Sequence, residues 1–209
     1  MNEIDISKMA VVTIDMQRDT LAGRKLEIKG TSEILPNLKK ILESARKRTI
    51  PIIHVIRIYL EDGSNAEPIR RKMILSGKKI LAPNDEGTEI FEDVLPNTGI
   101  KLNTNILLNG ELQNIGANEF ILYKPRWGAF YNTKLNDILQ EFSIKSICFI
   151  GVNFPNCPRT SIYEASERDY EVFVIKDAIS GIYDKGIDEL SNIGVHILNT
   201  QDFLSTHSP

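Results

Sequence analysis

Residues 146–160 read SICFIGVNFPNCPRT and give the clearest fold signal in the chain. An apolar run from Ser146 to Ile150 is followed by a short loop, and Pro158 comes directly after Cys157. The pattern predicts a buried strand, then a tight loop, then a helix, because proline is favoured at the first position of a helix. Cys157 is therefore predicted at the N-cap of that helix.

Cys157 is a candidate nucleophile because of this position. Unpaired backbone N–H groups and the helix dipole favour negative charge at a helix start, and a nearby cation would lower the pKa of the thiol further. A buried structural cysteine is the alternative, and the loop alone does not separate the two. The other cysteine, Cys148, lies within the apolar run and is predicted to belong to the core.

The composition is that of an ordinary globular protein. The chain has 209 residues, 42% hydrophobic and 25% charged, with 25 Lys+Arg against 28 Asp+Glu and a net charge of -3. This length suits one domain covering residues 1–209. Without a long basic run, nucleic acid is not expected as a partner. No signal peptide, membrane span or disulfide framework is expected, so a cytoplasmic protein without a membrane partner is predicted.

Short apolar runs rich in β-branched residues alternate with helical patterns. This alternation is typical of βαβ units, so we predict an α/β fold, a Rossmann-like three-layer sandwich with a six-stranded parallel sheet. The predicted strands are Ala10–Asp15, Pro51–Ile58, Glu119–Lys124, Ser146–Gly151, Glu171–Lys176 and Gly194–Leu198. The predicted helices are Ser32–Lys47, Ala66–Leu75, Asn132–Phe142, Pro158–Asp169 and Asp184–Ile193.

Residues 59–118 form an unusually long connection, because a crossover between parallel strands needs far fewer residues. The segment has several turn signals, and its interspersed apolar residues, among them Ile90 and Leu107, argue against disorder. Long excursions of this kind form lids, binding loops or subunit contacts.

Reactive groups follow three of the predicted strands. Asp15 ends the first strand, Lys124 ends the third, and Cys157 follows the fourth. In open parallel sheets the ligand crevice lies beyond the carboxyl ends of the strands, so these groups are expected to meet. Considered alone, Asp15 would be expected to cap a helix or to make a hydrogen bond within a loop. Lys124 alone would be expected to lie in solvent at the end of a strand. Together they supply a proton acceptor, a cation and a nucleophile.

The chain resembles the cysteine hydrolases of the isochorismatase-like superfamily, in particular the branch of N-carbamoylsarcosine amidohydrolase and streptothricin hydrolase. The resemblance rests on three motifs whose order and spacing agree: VVTIDMQ at 11–17, KPRWGAFYNTKL at 124–135, and GVNFPNC at 151–157. Together with weaker matches between them, these motifs extend the similarity over nearly the whole chain. The resemblance implies the isochorismatase-like hydrolase fold.

The resemblance also implies roles for individual residues. Asp15 would be the base, Lys124 the electrostatic stabiliser and Cys157 the nucleophile. A cis peptide bond between Val152 and Asn153 would turn the backbone amides of Asn153 and Cys157 toward one point as an oxyanion hole. This reading implies hydrolysis of a small non-peptide amide or ureido C–N bond through a thioester intermediate.

Departures from the family pattern leave alternatives. Residues 57–62, RIYLED, lack the paired histidines of the nicotinamidase metal site, so neither a metal nor a cofactor is expected. The loop 153–158 differs from the family pattern, so a catalytically silent or scaffolding member of the family remains an alternative interpretation. Isochorismatase-type vinyl ether hydrolysis is less favoured, because enzymes of that type usually lack the cysteine. A nucleotide-binding module is also less favoured, because the chain has no glycine-rich phosphate loop.

Three residues are candidate substrate contacts. Gln17 follows the base closely, Trp127 is placed to wall a planar amide, and Arg57 is one of several arginines placed to pair with a carboxylate. The alternative role is a loop hydrogen bond for Gln17, packing for Trp127 and a solvated surface position for Arg57. The expected partner is a small-molecule amide. Relatives commonly form dimers or tetramers, so a homodimer or homotetramer is also expected.

Overall fold

A seven-stranded sheet with helices on both faces forms the protein in the computed structural model, which describes residues 6–206. The strands are β1 (Met9–Ile14), β2 (Ile52–Ile56), β3 (Gln113–Gly116), β4 (Glu119–Tyr123), β5 (Ser146–Gly151), β6 (Glu171–Ile179) and β7 (His196–Leu198). The helices are α1 (Thr31–Lys47), α2 (Pro68–Leu75), α3 (Thr104–Leu108), α4 (Leu135–Glu141), α5 (Cys157–Ser166), α6 (Asp184–Asn192) and α7 (Thr200–Ser205).

The strand order is β3-β4-β2-β1-β5-β6-β7. All neighbouring pairs are parallel except β3 and β4, which are antiparallel. The predicted α/β fold is confirmed, but the strand count of six is corrected to seven. The missed strand, β3, lies inside the 59–118 excursion and reads QNIG. Its short, polar, partly exposed sequence lacks the apolar run by which a buried strand is recognised.

The sheet is buried on both faces, as the apolar strands predict. Successive residues of β1 point to opposite sides, so Val11 packs in one hydrophobic cluster with Leu38 of α1. Val12 packs in a second cluster with Leu139 of α4 and Ile162 of α5. The central strands are therefore fixed from both sides, and their carboxyl ends form a rigid edge.

This edge contains the topological switch point of the sheet. From β1 the chain moves to β2 on one side, whereas from β5 it moves to β6 on the other. Ile14 at the end of β1 is in register with Val55 of β2 and Gly151 of β5. Ligands of open α/β sheets bind in the crevice at such a point.

The start of α5 differs from the prediction by one position. Asn156 is the N-cap, Cys157 is the first helical residue and Pro158 the second. The reason is that the backbone N–H of Thr160 donates to the carbonyl of Asn156 at 3.0 Å, so the first turn closes on Asn156. Cys157 nevertheless lies in the first turn of the helix.

The 59–118 excursion has its own small core beside the main sheet. Tyr59, Ala66, Ile74, Ile80 and Leu81 form a separate apolar cluster. This cluster holds α2 and the segment after it against the carboxyl edge of the strands. No helix within residues 6–206 combines the length and the apolar character needed to cross a bilayer.

Candidate active site

A buried ion pair lies at the switch point. The ammonium of Lys124 is 3.0 Å from Oδ2 of Asp15, and it also donates to the carbonyl oxygen of Arg126 at 3.3 Å. Lys124 has no exposed surface, and Asp15 is 7% exposed. Two charges removed from water in this way are stable only when each partners the other. Folding therefore brings together two of the groups predicted from the strand ends.

The backbone conformation of Asp15 is unusual for a residue other than glycine. Its φ of 51° lies in the left-handed region, which aspartate tolerates better than most residues. Its N–H donates to the carbonyl of Val55 at 2.9 Å, which ties the turn to the end of β2. Strained backbone of this kind, held by its surroundings, is concentrated at functional sites.

Gly151 lets the ends of β1 and β5 come close together. Its φ is 121°, and a Cβ at this position would lie 2.3 Å from the carbonyl oxygen of Ile14. No other residue type fits, because such a contact is shorter than any real carbon–oxygen approach. The close approach places the loop that leads to Cys157 directly beside Asp15.

Cys157 is 6% exposed and lines the same cavity as Asp15, close enough for the carboxylate to act on its thiol. Burial raises the pKa of the Cys157 thiol to about 12, and the negative charge of Asp15 acts in the same direction. Lys124 and Arg57 lower the pKa but do not outweigh these effects. The predicted lowering of this pKa is therefore wrong, because burial outweighs the helix N-terminus.

The loop after β5 has a trans peptide bond between Val152 and Asn153. The predicted cis bond is wrong, since residues 6–206 contain no cis peptide. Gly151 makes the turn instead, and bonds from Val152 N–H to the Ile14 carbonyl and from Phe154 N–H to the Ser180 carbonyl, at 3.0 and 2.8 Å, hold the trans chain.

The two amides predicted to form the oxyanion hole have no hydrogen-bond acceptor among residues 6–206. Within the part of the chain that the structure describes, neither Asn153 N–H nor Cys157 N–H donates to a backbone carbonyl. Both residues line the same cavity. The oxyanion hole stays a prediction, because the cis bond expected to turn both amides toward one point is absent from residues 6–206.

A small cavity of about 40 Å³ adjoins these groups, enough for two or three water molecules. Asp15, Cys157 and Asn153 form its inner wall, together with the predicted contacts Arg57 and Trp127. Further wall residues come from the loops at 20–28 and 59–81, namely Thr20, Leu26, Ile28, Tyr59, Arg70 and Leu81.

A family model for the isochorismatase domain matches residues 9–202. The chain belongs to the isochorismatase family of hydrolases. A protein of Arabidopsis thaliana named as a probable inactive nicotinamidase is 32% identical over 192 residues, covering 89% of each chain. The ureidoacrylate amidohydrolase of Serratia proteamaculans is 24% identical over 191 residues, covering 81% of this chain and 68% of the relative.

Solved structures agree with this assignment. An isochorismatase family protein from Desulfovibrio vulgaris has a TM-score of 0.79 and 27% identity, covering 93% of this chain and 95% of the other. The resemblance predicted from the three sequence motifs is thus confirmed at the level of family and fold.

Gln17, a predicted substrate contact of this isochorismatase-family protein, lies away from the cavity lining. It is fully buried and does not line the cavity. Its amide nitrogen donates to the carbonyls of Arg57 and Thr88 at 2.8 and 2.7 Å, and its Oε1 accepts from Arg57 N–H at 2.9 Å. The predicted alternative of a loop hydrogen bond is what occurs. Gln17 therefore fixes the backbone of Arg57.

Sequence reasoning missed two residues that contact Arg57. The guanidinium Nη2 donates to Tyr59 Oη at 3.1 Å and to Oε1 of Glu67, and the Tyr59 hydroxyl also donates to Glu67 at 3.3 Å. Burial raises the pKa of Tyr59, so its hydroxyl stays protonated. Neither residue belongs to one of the three motifs, so only the folded excursion reveals their contact with Arg57.

His54 and His196, the two histidines among residues 6–206, do not line this cavity. His54 is completely buried between strands, where Nδ1 is 2.8 Å from Thr13 Oγ1 and Nε2 is 2.8 Å from Glu119 Oε1. Among residues 6–206, no group of three or more His, Cys, Asp or Glu side chains is arranged to hold a metal ion.

The raised pKa of Cys157 predicts how its alkylation depends on pH. We expect the rate of labelling by iodoacetamide to rise about tenfold per unit from pH 6 to pH 9 without a plateau, because only the thiolate reacts. Mass spectrometry of the Cys157 peptide measures this rate, with glutathione as the reference thiol. Cys148, which is fully buried, should stay unlabelled in the folded protein. A plateau below pH 8 would mean that the resting group is a thiolate.

Proposed function

We propose that this protein is a cysteine-dependent hydrolase that cleaves a C–N bond of a small non-peptide amide or ureido compound. The main support is that Cys157 lines one cavity with Asp15, which is itself paired with the fully buried Lys124. Nucleophile and base thus line one cavity with two unbonded amide donors, and the cation contacts the base. The ureidoacrylate amidohydrolase relative supports the reaction class by its name.

The first step starts from a neutral thiol. Asp15 accepts the proton from Sγ of Cys157 as sulfur attacks the carbonyl carbon, so no free thiolate needs to exist beforehand. This order suits a thiol whose pKa burial raises to about 12. The ammonium of Lys124, 3.0 Å from Oδ2 of Asp15, lies beside the carboxyl group throughout the transfer.

The carbonyl oxygen becomes negative as the C–S bond forms. The backbone amides of Asn153 and Cys157 are the donors for this oxyanion, and each such donor is worth about 3–4 kcal/mol in the transition state. The C–N bond then breaks, and Asp15 returns its proton to the departing nitrogen. Ammonia or an amine leaves, and the acyl group remains on Cys157 as a thioester.

Water completes the cycle. Asp15, again ionised, takes a proton from a water molecule that attacks the thioester carbonyl. The C–S bond breaks, the acid or carbamate product leaves, and the Cys157 sulfur recovers its proton. Base and nucleophile return to their starting states, so the reaction needs no external oxidant or reductant.

A catalytically silent protein is the second candidate. It is favoured by the Arabidopsis relative, which is named as probably inactive, and by a cavity of about 40 Å³, smaller than a typical ligand site.

An ammonia-release screen separates these two candidates. The panel covers ureido acids, N-carbamoyl amino acids, lactams and nicotinamide, with the Cys157→Ala protein as the blank. We expect at least one compound to release ammonia at a rate well above that blank. No release above the blank from any compound, with a folded protein, would favour the silent alternative.

A further inference from the structure

Arg57 is a buried cation that the proposed reaction does not use. It follows β2 and is 3% exposed, yet it lines the cavity with Asp15 and Cys157. Gln17 holds its backbone on both sides, through Arg57 N–H and the Arg57 carbonyl. The guanidinium lies over the Tyr59 ring at 4.8 Å and the Trp127 ring at 5.9 Å, measured to the ring centroids. The group is thus fixed in place before any substrate arrives.

Two nitrogen donors of the Arg57 guanidinium have no acceptor within residues 6–206. Nη2 donates to Tyr59 and Glu67, but Nε and Nη1 are buried and have no partner within residues 6–206. A buried charged donor without an acceptor costs more than a neutral one, so such groups are normally paired. The unpaired Nε and Nη1 groups of Arg57 therefore indicate that a bound molecule supplies the acceptor.

The charges around the cavity favour an anion. Asp15 is paired with Lys124, and Glu67 is paired with Arg57. Arg70 of α2 also lines the cavity, and no carboxylate lies within ion-pair distance of it among the described residues. With Cys157 as a neutral thiol, the five charged groups sum to one positive charge.

We propose that Arg57 selects substrates that carry a carboxylate in addition to the scissile amide or ureido group. This inference rests on the proposed function and narrows its substrate class. The carboxylate accepts from the free N–H groups of Arg57, and Arg70 at the cavity wall contributes attraction over a longer distance. One carboxylate balances the excess charge, whereas a phosphate would overcompensate it and fits the small cavity less well. Guanidinium and carboxylate are also matched in shape and charge.

Alkylation of Cys157 tests this site without turnover. Iodoacetate carries a carboxylate where iodoacetamide carries an amide, and both react with the same thiolate. The labelling rate of iodoacetate divided by that of iodoacetamide therefore does not depend on the thiol pKa. We expect this ratio at Cys157 to exceed that of glutathione by about tenfold or more at pH 9, because a positive cleft concentrates anions. Mass spectrometry assigns the label to Cys157.

Substitutions of the charged residues show which of them causes the preference for iodoacetate. Arg57→Gln combined with Glu67→Gln removes the pair without leaving an unpaired buried charge, and we expect it to lower the ratio to that of glutathione. Arg70→Gln should lower it in part. Arg71→Gln on the same helix is the matched control, because Arg71 bonds to the carbonyls of Gly63 and Ala66 and does not line the cavity. Its ratio should equal that of the unmodified protein.

Three results would overturn the carboxylate site. These are a ratio equal to that of glutathione, a high ratio that survives in the double variant, or no labelling by either reagent. The test is independent of the hydrolase proposal. An inactive protein that keeps the iodoacetate preference would overturn only the proposed reaction, whereas an active amidase without the preference would overturn only the role of Arg57.

Discussion

Replacing Cys157 with alanine is expected to lower the hydrolysis rate about 10⁴-fold or more while the protein stays folded, as for other removed nucleophiles. The thiol is the one group at the cavity wall able to form a thioester with the acyl carbon, and alanine leaves Asp15 and Lys124 in place. Ammonia release under saturating substrate measures the effect. A short acid quench of the unmodified enzyme should also trap the acyl group on the Cys157 peptide.

The chain supplies its own control for this experiment. It has two cysteines, and Cys148 is completely buried in β5 with its pKa raised to about 12, but it does not line the cavity. Cys148→Ala should keep the unmodified turnover rate and lose about 1–2 kcal/mol of stability, because it shortens a core side chain. Equal losses of rate in both variants would point to a folding defect. Full activity of Cys157→Ala would exclude the covalent mechanism.

The sequence predicts the layers of this fold well because buried parallel strands are continuous apolar runs. The run at 146–151 coincides with β5 and its alternation of sides follows from strand geometry. By contrast, β3 was missed because its four residues are held by pairing with β4 and not by their own hydrophobicity. Edge strands of this kind depend on tertiary contacts that no local pattern records.

The site was predictable in part for a similar reason. Strand order places the residues after β1, β4 and β5 at one edge, so Asp15, Lys124 and Cys157 follow from topology. The state of the thiol does not follow, because its burial and its distance from Asp15 are properties of the folded site. The pairing of Arg57 with Glu67 was likewise hidden, since it depends on how the 59–118 excursion folds back over the strands.

Removing one partner of the Lys124–Asp15 pair is expected to cost about 3–5 kcal/mol of stability, because a buried charge is left without its counter-ion. In Lys124→Met the Asp15 carboxylate loses the cation on Oδ2, while Oδ1 already has no hydrogen-bond partner within residues 6–206. In Asp15→Asn the ammonium keeps only uncharged oxygens, among them the carbonyl of Arg126. The midpoint of urea unfolding, at constant slope, measures both losses.

The double variant Asp15→Asn, Lys124→Met separates stability from chemistry. It contains no unpaired charge, and asparagine tolerates the φ of 51° at position 15. We therefore expect it to regain most of the stability lost in either single variant, with a coupling energy of about 2–3 kcal/mol. Its hydrolysis rate should nevertheless stay about 10²–10⁴-fold below that of the unmodified enzyme, because no base accepts the thiol proton. Additive losses of stability would mean that the two charges do not support each other, and a stable, fully active double variant would remove Asp15 and Lys124 from the reaction.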